Sequence, residues 1–234
     1  MEQNKKYSAL IVCGGKGERA GLGYNKLLFD FGGTTPFETC LSRFIDTKID
    51  FEYVIVCTGE DESVFRKKCE GLGICAKFAR GGKTRSDSVK SGLEKVTGEI
   101  VAIHDGARPL VDNEIIVRSM HTVEKEKACV AGMPVKDTIK VSDEFGYSAN
   151  TPDRKSLWQI QTPQCFEYNL LARSYDKLFS DMSYGKSVPV ITDDAMIVEY
   201  GSDTKVKLIE GSYENIKVTT PEDMGIAELF LKKR

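Results

Sequence analysis

The sequence has no Cys-x-x-C pair, no apolar run of membrane-spanning length and no excess of basic charge. Its seven cysteines, at 13, 40, 57, 69, 75, 129 and 165, are scattered and odd in number. Several stand inside apolar strand-like runs such as "YVIVCT". That pattern predicts buried free thiols in a reducing cytoplasm rather than a disulfide framework. Lys and Arg total 33 against 35 for Asp and Glu, a formal net charge of −2. A general binder of nucleic acid or of an anionic membrane is usually more basic, so neither partner is expected. Any phosphate site has to be assembled from local cations. The opening "MEQNKKYSALIV" is charged, and its apolar part is too short for a secretory signal. There is no internal repeat, low-complexity tract or flexible linker, so residues 1–234 are expected to form one domain. The Walker A pattern is missing, which argues against a P-loop. The G-x-S-x-G elbow is missing too, which argues against a serine hydrolase.

What is present is an alternation of short apolar runs and amphipathic stretches. "SALIV" (8–12) precedes a helix at 36–45, and "YVIVCT" (53–58) precedes one at 61–70. "ICAKFA" (74–79) precedes 84–96, and "EIVAIHD" (99–105) precedes 112–126. Such repetition predicts an α/β fold with a mostly parallel sheet covered on both faces. Residues 128–164 are strand-rich; "VKDTIKV" and "GYSANT" flank the turn-like "SDEFG" and predict a projecting hairpin. Helical signals return at 167–180, at 192–200 and after "TTPEDM", where Thr220 is an N-cap candidate, Pro221 a first-turn residue and Asp223 a capping-box acid.

The run "CGGKGERAGLGYNK" (13–26) follows the first strand directly. Its glycines disfavour both core packing and helix. Three readings fit it. Gly15-x-Gly17-x-x-Ala20 is a loose dinucleotide pattern, but Gly21 and Gly23 oppose the helix that a nicotinamide-binding unit needs. A solvated basic loop is the second. The third is an open wrap whose backbone N–H groups and the cations Lys16, Arg19 and Lys26 hold a triphosphate. The stretch "NKLLFDFGG" beyond it reads as extended.

At this point the chain resembles the 2-C-methyl-D-erythritol 4-phosphate cytidylyltransferases. The resemblance rests on "CGGKGERA…NK", "GGKTRSDSVKSGL", "VAIHDGARPLV", "VKDTIK", "LWQIQTPQCF", "ITDDAMIVE" and "ENIKVTTPEDM", in that order over nearly the whole chain. It implies a three-layer α/β/α, Rossmann-like nucleotidyltransferase fold with a doubly wound sheet and a β-arm at 137–158 that pairs two subunits. It implies CMP transfer from CTP to the polyol phosphate, with Mg²⁺ or another divalent cation, in isoprenoid precursor synthesis. A ribitol-5-phosphate cytidylyltransferase and, from another class, a nicotinamide-dependent oxidoreductase are the alternatives.

The resemblance assigns roles residue by residue. Cys13, Gly14, Gly15, Gly17, Gly81, Gly82, Ser88, Asp105 and Gly106 are expected to hold the nucleotide. Arg19 and Lys26 stabilise the α-phosphate, and Asp105 holds the metal. Arg108, Thr138, Arg154, Thr162, Thr192 and Lys217 place the polyol phosphate, Arg154 and Lys217 as catalytic positioners. Thr138 and Arg154 are expected to reach the neighbouring subunit's site. Read without the resemblance, Asp105 is equally a strand-end turn residue, Thr192 an N-cap, Lys217 a surface cation, and His104 a hydrogen-bonded strand-end residue rather than a base. The chain departs from the family pattern at Cys13–Gly14, Ala20, Lys83 and Asn25. Proline is usual where Asn25 stands, so the approach to Lys26 is expected to be less rigid here.

Overall fold

A computed structural model describes residues 6–14 and 23–233. Gly15, Gly17, Arg19 and the rest of 15–22 lie outside the described residues, and with them the loose dinucleotide pattern.

The chain opens with β1 (Tyr7–Val12), then α1 (Pro36–Asp46), β2 (Phe51–Cys57), α2 (Glu62–Gly71), β3 (Ala76–Arg80), α3 (Arg85–Leu93), β4 (Ile100–Asp105) and α4 (Asn113–Glu126). The helix starts follow from local sequence. Thr35 with Glu38 and Thr84 with Asp87 form reciprocal capping boxes, each satisfying backbone N–H groups that the first turn leaves open. Such a cap contributes about 1 kcal/mol. At the far end of α4, Lys127 takes the left-handed conformation (φ 65°) and closes the helix.

β5 (Ala128–Pro134) returns to the sheet, and the chain then leaves it for a hairpin of β6 (Val141–Ser142) and β7 (Ser148–Asn150). β8 (Trp158–Glu167) re-enters, followed by α5 (Tyr168–Ser183), α6 (Asp194–Gly201), β9 (Lys207–Glu210) and α7 (Pro221–Leu231). Thr220 and Asp223 cap α7 as its sequence predicts.

The seven-stranded sheet runs β3-β2-β1-β4-β8-β5-β9. Its pairs are parallel except where β8 runs antiparallel to β4 and β5. The expected mostly parallel α/β sheet with flanking helices is thus what forms. Strand alternation divides the core. Ala9, Ile11, Phe51 and Ile55 face α1, α2 and α4, while Leu10, Val54 and Val56 face α3, α5 and α6. A smaller cluster of Leu110, Val218, Met224 and Ala227 seats α7.

The chain turns outward from β1 toward β3 and then returns to place β4 on the other side of β1. The strand order therefore reverses between β1 and β4, where Val12 lies opposite Asp105. Open α/β sheets bind ligands beyond the strand carboxyl ends at such a reversal.

Two local expectations change. Lys26–Leu28 is a 3₁₀ turn, not extended chain, because the Asn25 side chain caps it. β9 was not among the expected strands; it is four residues long, and only Ile209 is buried. The "KVKLIE" alternation was its faint signal.

Gly201 ends α6 where that helix crosses α5. A Cβ there would lie 2.5 Å from the Ser174 Cα, a backbone atom that cannot swing aside. Helix propensity alone favours alanine by about 1 kcal/mol. Overpacking costs about 1–3 kcal/mol. Gly201→Ala is expected to be net destabilising in urea denaturation; an unchanged or raised midpoint would remove this crossing as a packing constraint.

Candidate active site

A cleft of about 480 Å³ opens beyond the β1 and β4 carboxyl ends. Gly14 lies on one side, the Gly81–Gly82 turn and the start of α3 on another, and Lys26, Asp105 and Lys217 close it. The first turn of α3 turns the positive end of the helix dipole toward the cleft, which favours an anion there. Gly82 is required there: a Cβ would lie 2.3 Å from the Asp87 Cβ. The Ser88 hydroxyl accepts the Gly82 N–H (3.0 Å) and donates to the Thr84 carbonyl (2.9 Å), tying the glycine turn to the helix.

Asp105 is the one acidic residue among the described residues lining this cleft. Three cations surround its carboxylate: Lys217 Nζ at 2.9 Å, Arg85 Nε at 3.6 Å and Arg108 Nε at 3.8 Å. Burial pushes the Asp105 carboxyl up, but Arg85, Lys217 and Arg108 outweigh it and hold the group well below the ordinary carboxylate range. It is ionised at any working pH.

Arg85 also donates to Asp194 at 2.7 Å, and Asp194 is fully buried and accepts the Tyr175 hydroxyl at 2.6 Å. Burial pulls the Arg85 guanidinium down, and Asp194 and Asp105 more than restore it. Arg108 has no second carboxylate, so burial leaves it net lowered. Gln164 on β8 sets Asp194 in place, its side-chain carbonyl accepting the N–H groups of Asp194 and Ala195 at 3.1 Å each.

Beneath Asp105, the Thr162 hydroxyl accepts the Asp105 N–H (3.1 Å) and is left to donate to His104 Nδ1 (3.0 Å). His104 Nε2 then carries the ring proton and donates to the Arg108 carbonyl (3.1 Å). This arrangement requires neutral imidazole. Burial pushes the His104 pKa down to about 4.

The family model of the 2-C-methyl-D-erythritol 4-phosphate cytidylyltransferases (IspD) matches residues 7–233. The chain belongs to that family. The enzyme of that name from Lachnospira eligens is 40% identical over 228 residues, covering 96% of this chain and 99% of the relative. The Alkaliphilus oremlandii enzyme is 40% identical over 240 residues, covering 100% and 98%. Among solved structures, the 4-diphosphocytidyl-2C-methyl-D-erythritol synthase of Anaerococcus prevotii superposes with a TM-score of 0.85 at 31% identity, over 98% of this chain and 97% of that one. The Thermus thermophilus cytidylyltransferase gives a TM-score of 0.73 at 27% identity, over 96% and 98%.

In this cytidylyltransferase the expected site residues that are described fall into three groups. Gly14, Lys26, Gly81, Gly82, Ser88, Asp105 and Lys217 line one cleft. Cys13, Gly106, Arg108 and Thr162 support it from behind. The Cys13 side chain is fully buried, and its carbonyl accepts the Asn25 amide at 3.0 Å. Gly106 N–H donates to the Val12 carbonyl at 3.0 Å, closing the loop after β4 onto β1. Arg108 Nη1 donates to the Asn215 carbonyl at 2.7 Å, on the segment that carries Lys217. Thr138, Arg154 and Thr192 line no part of the cleft within this chain. Arg154 donates to the Lys136 carbonyl at 2.7 Å in the arm, and Thr192 is exposed ahead of α6, whose N-cap is Asp193 instead.

Sequence reasoning passed over Arg85 and Asp194, and took Asn25 only as a departure from the family's proline. Arg85 did leave a signal: a cation in the first turn of a helix opposes the dipole and needs another partner.

Because His104 is neutral in the fold and its unfolded pKa is about 6.5, acid favours the unfolded chain. Its contribution is complete above pH ~6.5 and is lost as pH falls toward its folded value of about 4. The loss amounts to roughly 3 kcal/mol over that window. His104→Gln is expected to flatten the stability profile between pH 6.5 and 4; a parallel profile would show that His104 is not the group responsible.

Proposed function

We propose that this chain transfers CMP from CTP to 2-C-methyl-D-erythritol 4-phosphate, releasing diphosphate and forming 4-diphosphocytidyl-2-C-methyl-D-erythritol, a precursor in isoprenoid synthesis. The observation that carries the reading is the convergence of Lys26, Lys217, Arg85 and the α3 N-terminus on one cleft whose single carboxylate among the described residues is Asp105. Such a cleft is built for a polyanion.

An oxygen of the acceptor phosphate attacks the α-phosphorus of CTP. A new P–O bond forms, the α–β bridging bond breaks, and diphosphate leaves with the electron pair. The nucleophile is already anionic, so no general base is required, and buried neutral His104 is not called on for one. The chain's contribution is positioning and charge stabilisation. Lys26 and Arg19 offset charge at the α-phosphate. Lys217 orients the acceptor. Gly14, Gly15 and Gly17 supply backbone N–H groups, while Gly81 and Gly82, whose N–H groups are bonded to the Cys57 carbonyl and the Ser88 hydroxyl, shape the nucleotide wall of the cleft.

No group of three or more His, Cys, Asp or Glu able to hold a metal occurs among the described residues. The described residues therefore offer no metal cage built from protein alone. A Mg²⁺ carried in on the triphosphate does fit, since that ion commonly takes one or two carboxylates with phosphate oxygens. Asp105 would be its protein ligand, and the ion would neutralise charge on the leaving diphosphate.

The arm supports a homodimer, and the buried free thiols fit a reducing cytoplasm. β6 and β7 form a two-stranded sheet of their own, with Phe145 77% and Tyr147 73% exposed. An apolar two-stranded ribbon is marginal alone and gains by packing on a second copy. That contact would carry Thr138 and Arg154 to the partner's cleft. No helix among the described residues is long and apolar enough to cross a membrane.

Lys26→Ala is expected to lower kcat for diphosphate release by at least about 100-fold, with the thermal midpoint nearly unchanged. Near-normal turnover would remove Lys26 from the chemistry. Wild-type enzyme should prefer methylerythritol phosphate to ribitol 5-phosphate as acceptor; the reverse preference would reassign the substrate.

A further inference from the structure

Asn25 departs from what its position asks of it. It precedes the 3₁₀ turn that carries Lys26, yet it is only 5% exposed and bonded on both sides of its amide. Its Oδ1 accepts the Leu27 N–H at 3.1 Å. Its Nδ2 donates to the Cys13 carbonyl at 3.0 Å, at the end of β1, and to Asp61 Oδ2 at 2.9 Å. One side chain thus joins the turn to two separate elements.

Asp61 is the other half of the arrangement. It occupies the N-cap of α2 but makes no capping bond to that helix. N-cap aspartate ordinarily accepts a backbone N–H of the first turn. Here the same carboxylate oxygen accepts from Asn25 and from the Thr58 hydroxyl at 2.9 Å, while the Asp61 N–H donates to Thr58 Oγ1 at 3.3 Å. A local rule is broken, and the gain appears at the cleft wall, since Asn25, Lys26 and Thr58 all line it.

We infer that Asn25, held by Asp61, is a positioning residue that fixes the turn presenting Lys26 to the α-phosphate. The inference rests on the catalytic reading of Lys26. The approach to Lys26 is secured by hydrogen bonds rather than by a rigid ring. The backbone permits either solution: Asn25 has φ −65° and ψ 117°, values that proline adopts without strain.

Four variants test this in steady-state assays of diphosphate release: Asn25→Ala, Asn25→Pro, Asp61→Ala and Lys26→Ala. Asn25→Ala is expected to lower kcat about 10- to 100-fold, the size of effect that a small misplacement produces. The KM for the acceptor and the thermal midpoint should change little. Asp61→Ala should give a similar loss, and the double variant Asn25→Ala/Asp61→Ala should lose no more than the larger single one, because both remove the same clip. Asn25→Pro should recover most of the lost kcat by restoring the backbone constraint without the amide.

If Lys26→Ala is damaging while Asn25→Ala is normal, the inference about Asn25 is overturned and the reading of Lys26 stands. If Lys26→Ala is itself harmless, the catalytic reading falls and this inference falls with it. A kcat loss in Asn25→Ala that follows a matching drop in folded fraction, with additive losses in the double variant, also overturns it, since that is what a purely structural role produces.

Discussion

A buried carboxylate ringed by cations sits where the sheet reverses direction, and much of the molecule is arranged around it. Asp105 ends β4 opposite the last residue of β1. Arg85 approaches it from α3, Arg108 from its own loop and Lys217 from the segment before α7. Removing one partner of a buried ion pair costs about 3–5 kcal/mol, because the other charge is left unpaired. Here the excess is on the cationic side. Two carboxylates, Asp105 and Asp194, among three cations leave net positive charge beside an open cleft, and an incoming polyanion can complete it.

The same arrangement explains the polar layer under the cleft. Thr162 and His104 hold the backbone of Asp105, Asn215 and Arg108 hold the Lys217 segment, and Gln164 with Asp194 holds Arg85. These are buried polar groups, costly if left unsatisfied. β8, antiparallel in an otherwise parallel sheet, carries both Thr162 and Gln164. Its run through the centre of the sheet brings polar side chains beneath a site made from parallel strands.

Rigidity and openness are divided between elements. Of the cations around Asp105, Arg85 is anchored in α3 and by buried Asp194, while Arg108 and Lys217 stand on loops tied together through the Asn215 carbonyl. The turn carrying Lys26 is anchored by side-chain amide bonds, to β1 on one side and to the start of α2 on the other. The arm takes no part in the cleft of its own chain. A site whose parts are held by such different means can fix the nucleotide end firmly and leave the acceptor end to be completed from elsewhere.

Hydrophobic alternation in the chain specified the α/β architecture, the capping boxes at Thr84 and Thr220, and the projecting hairpin, because strand and helix periods and cap chemistry are local properties. The motifs placed Gly81, Gly82, Ser88, Asp105 and Lys217 as candidates before any geometry was known. Only the tertiary structure decided that Arg85 belongs with Asp105 and Asp194, that Thr162 supports rather than lines the cleft, and that Asn25 stiffens the approach to Lys26. Those outcomes depend on contacts between residues up to 109 positions apart. Pairing over such distances is set by how strands order and helices pack, which no window of neighbouring residues encodes.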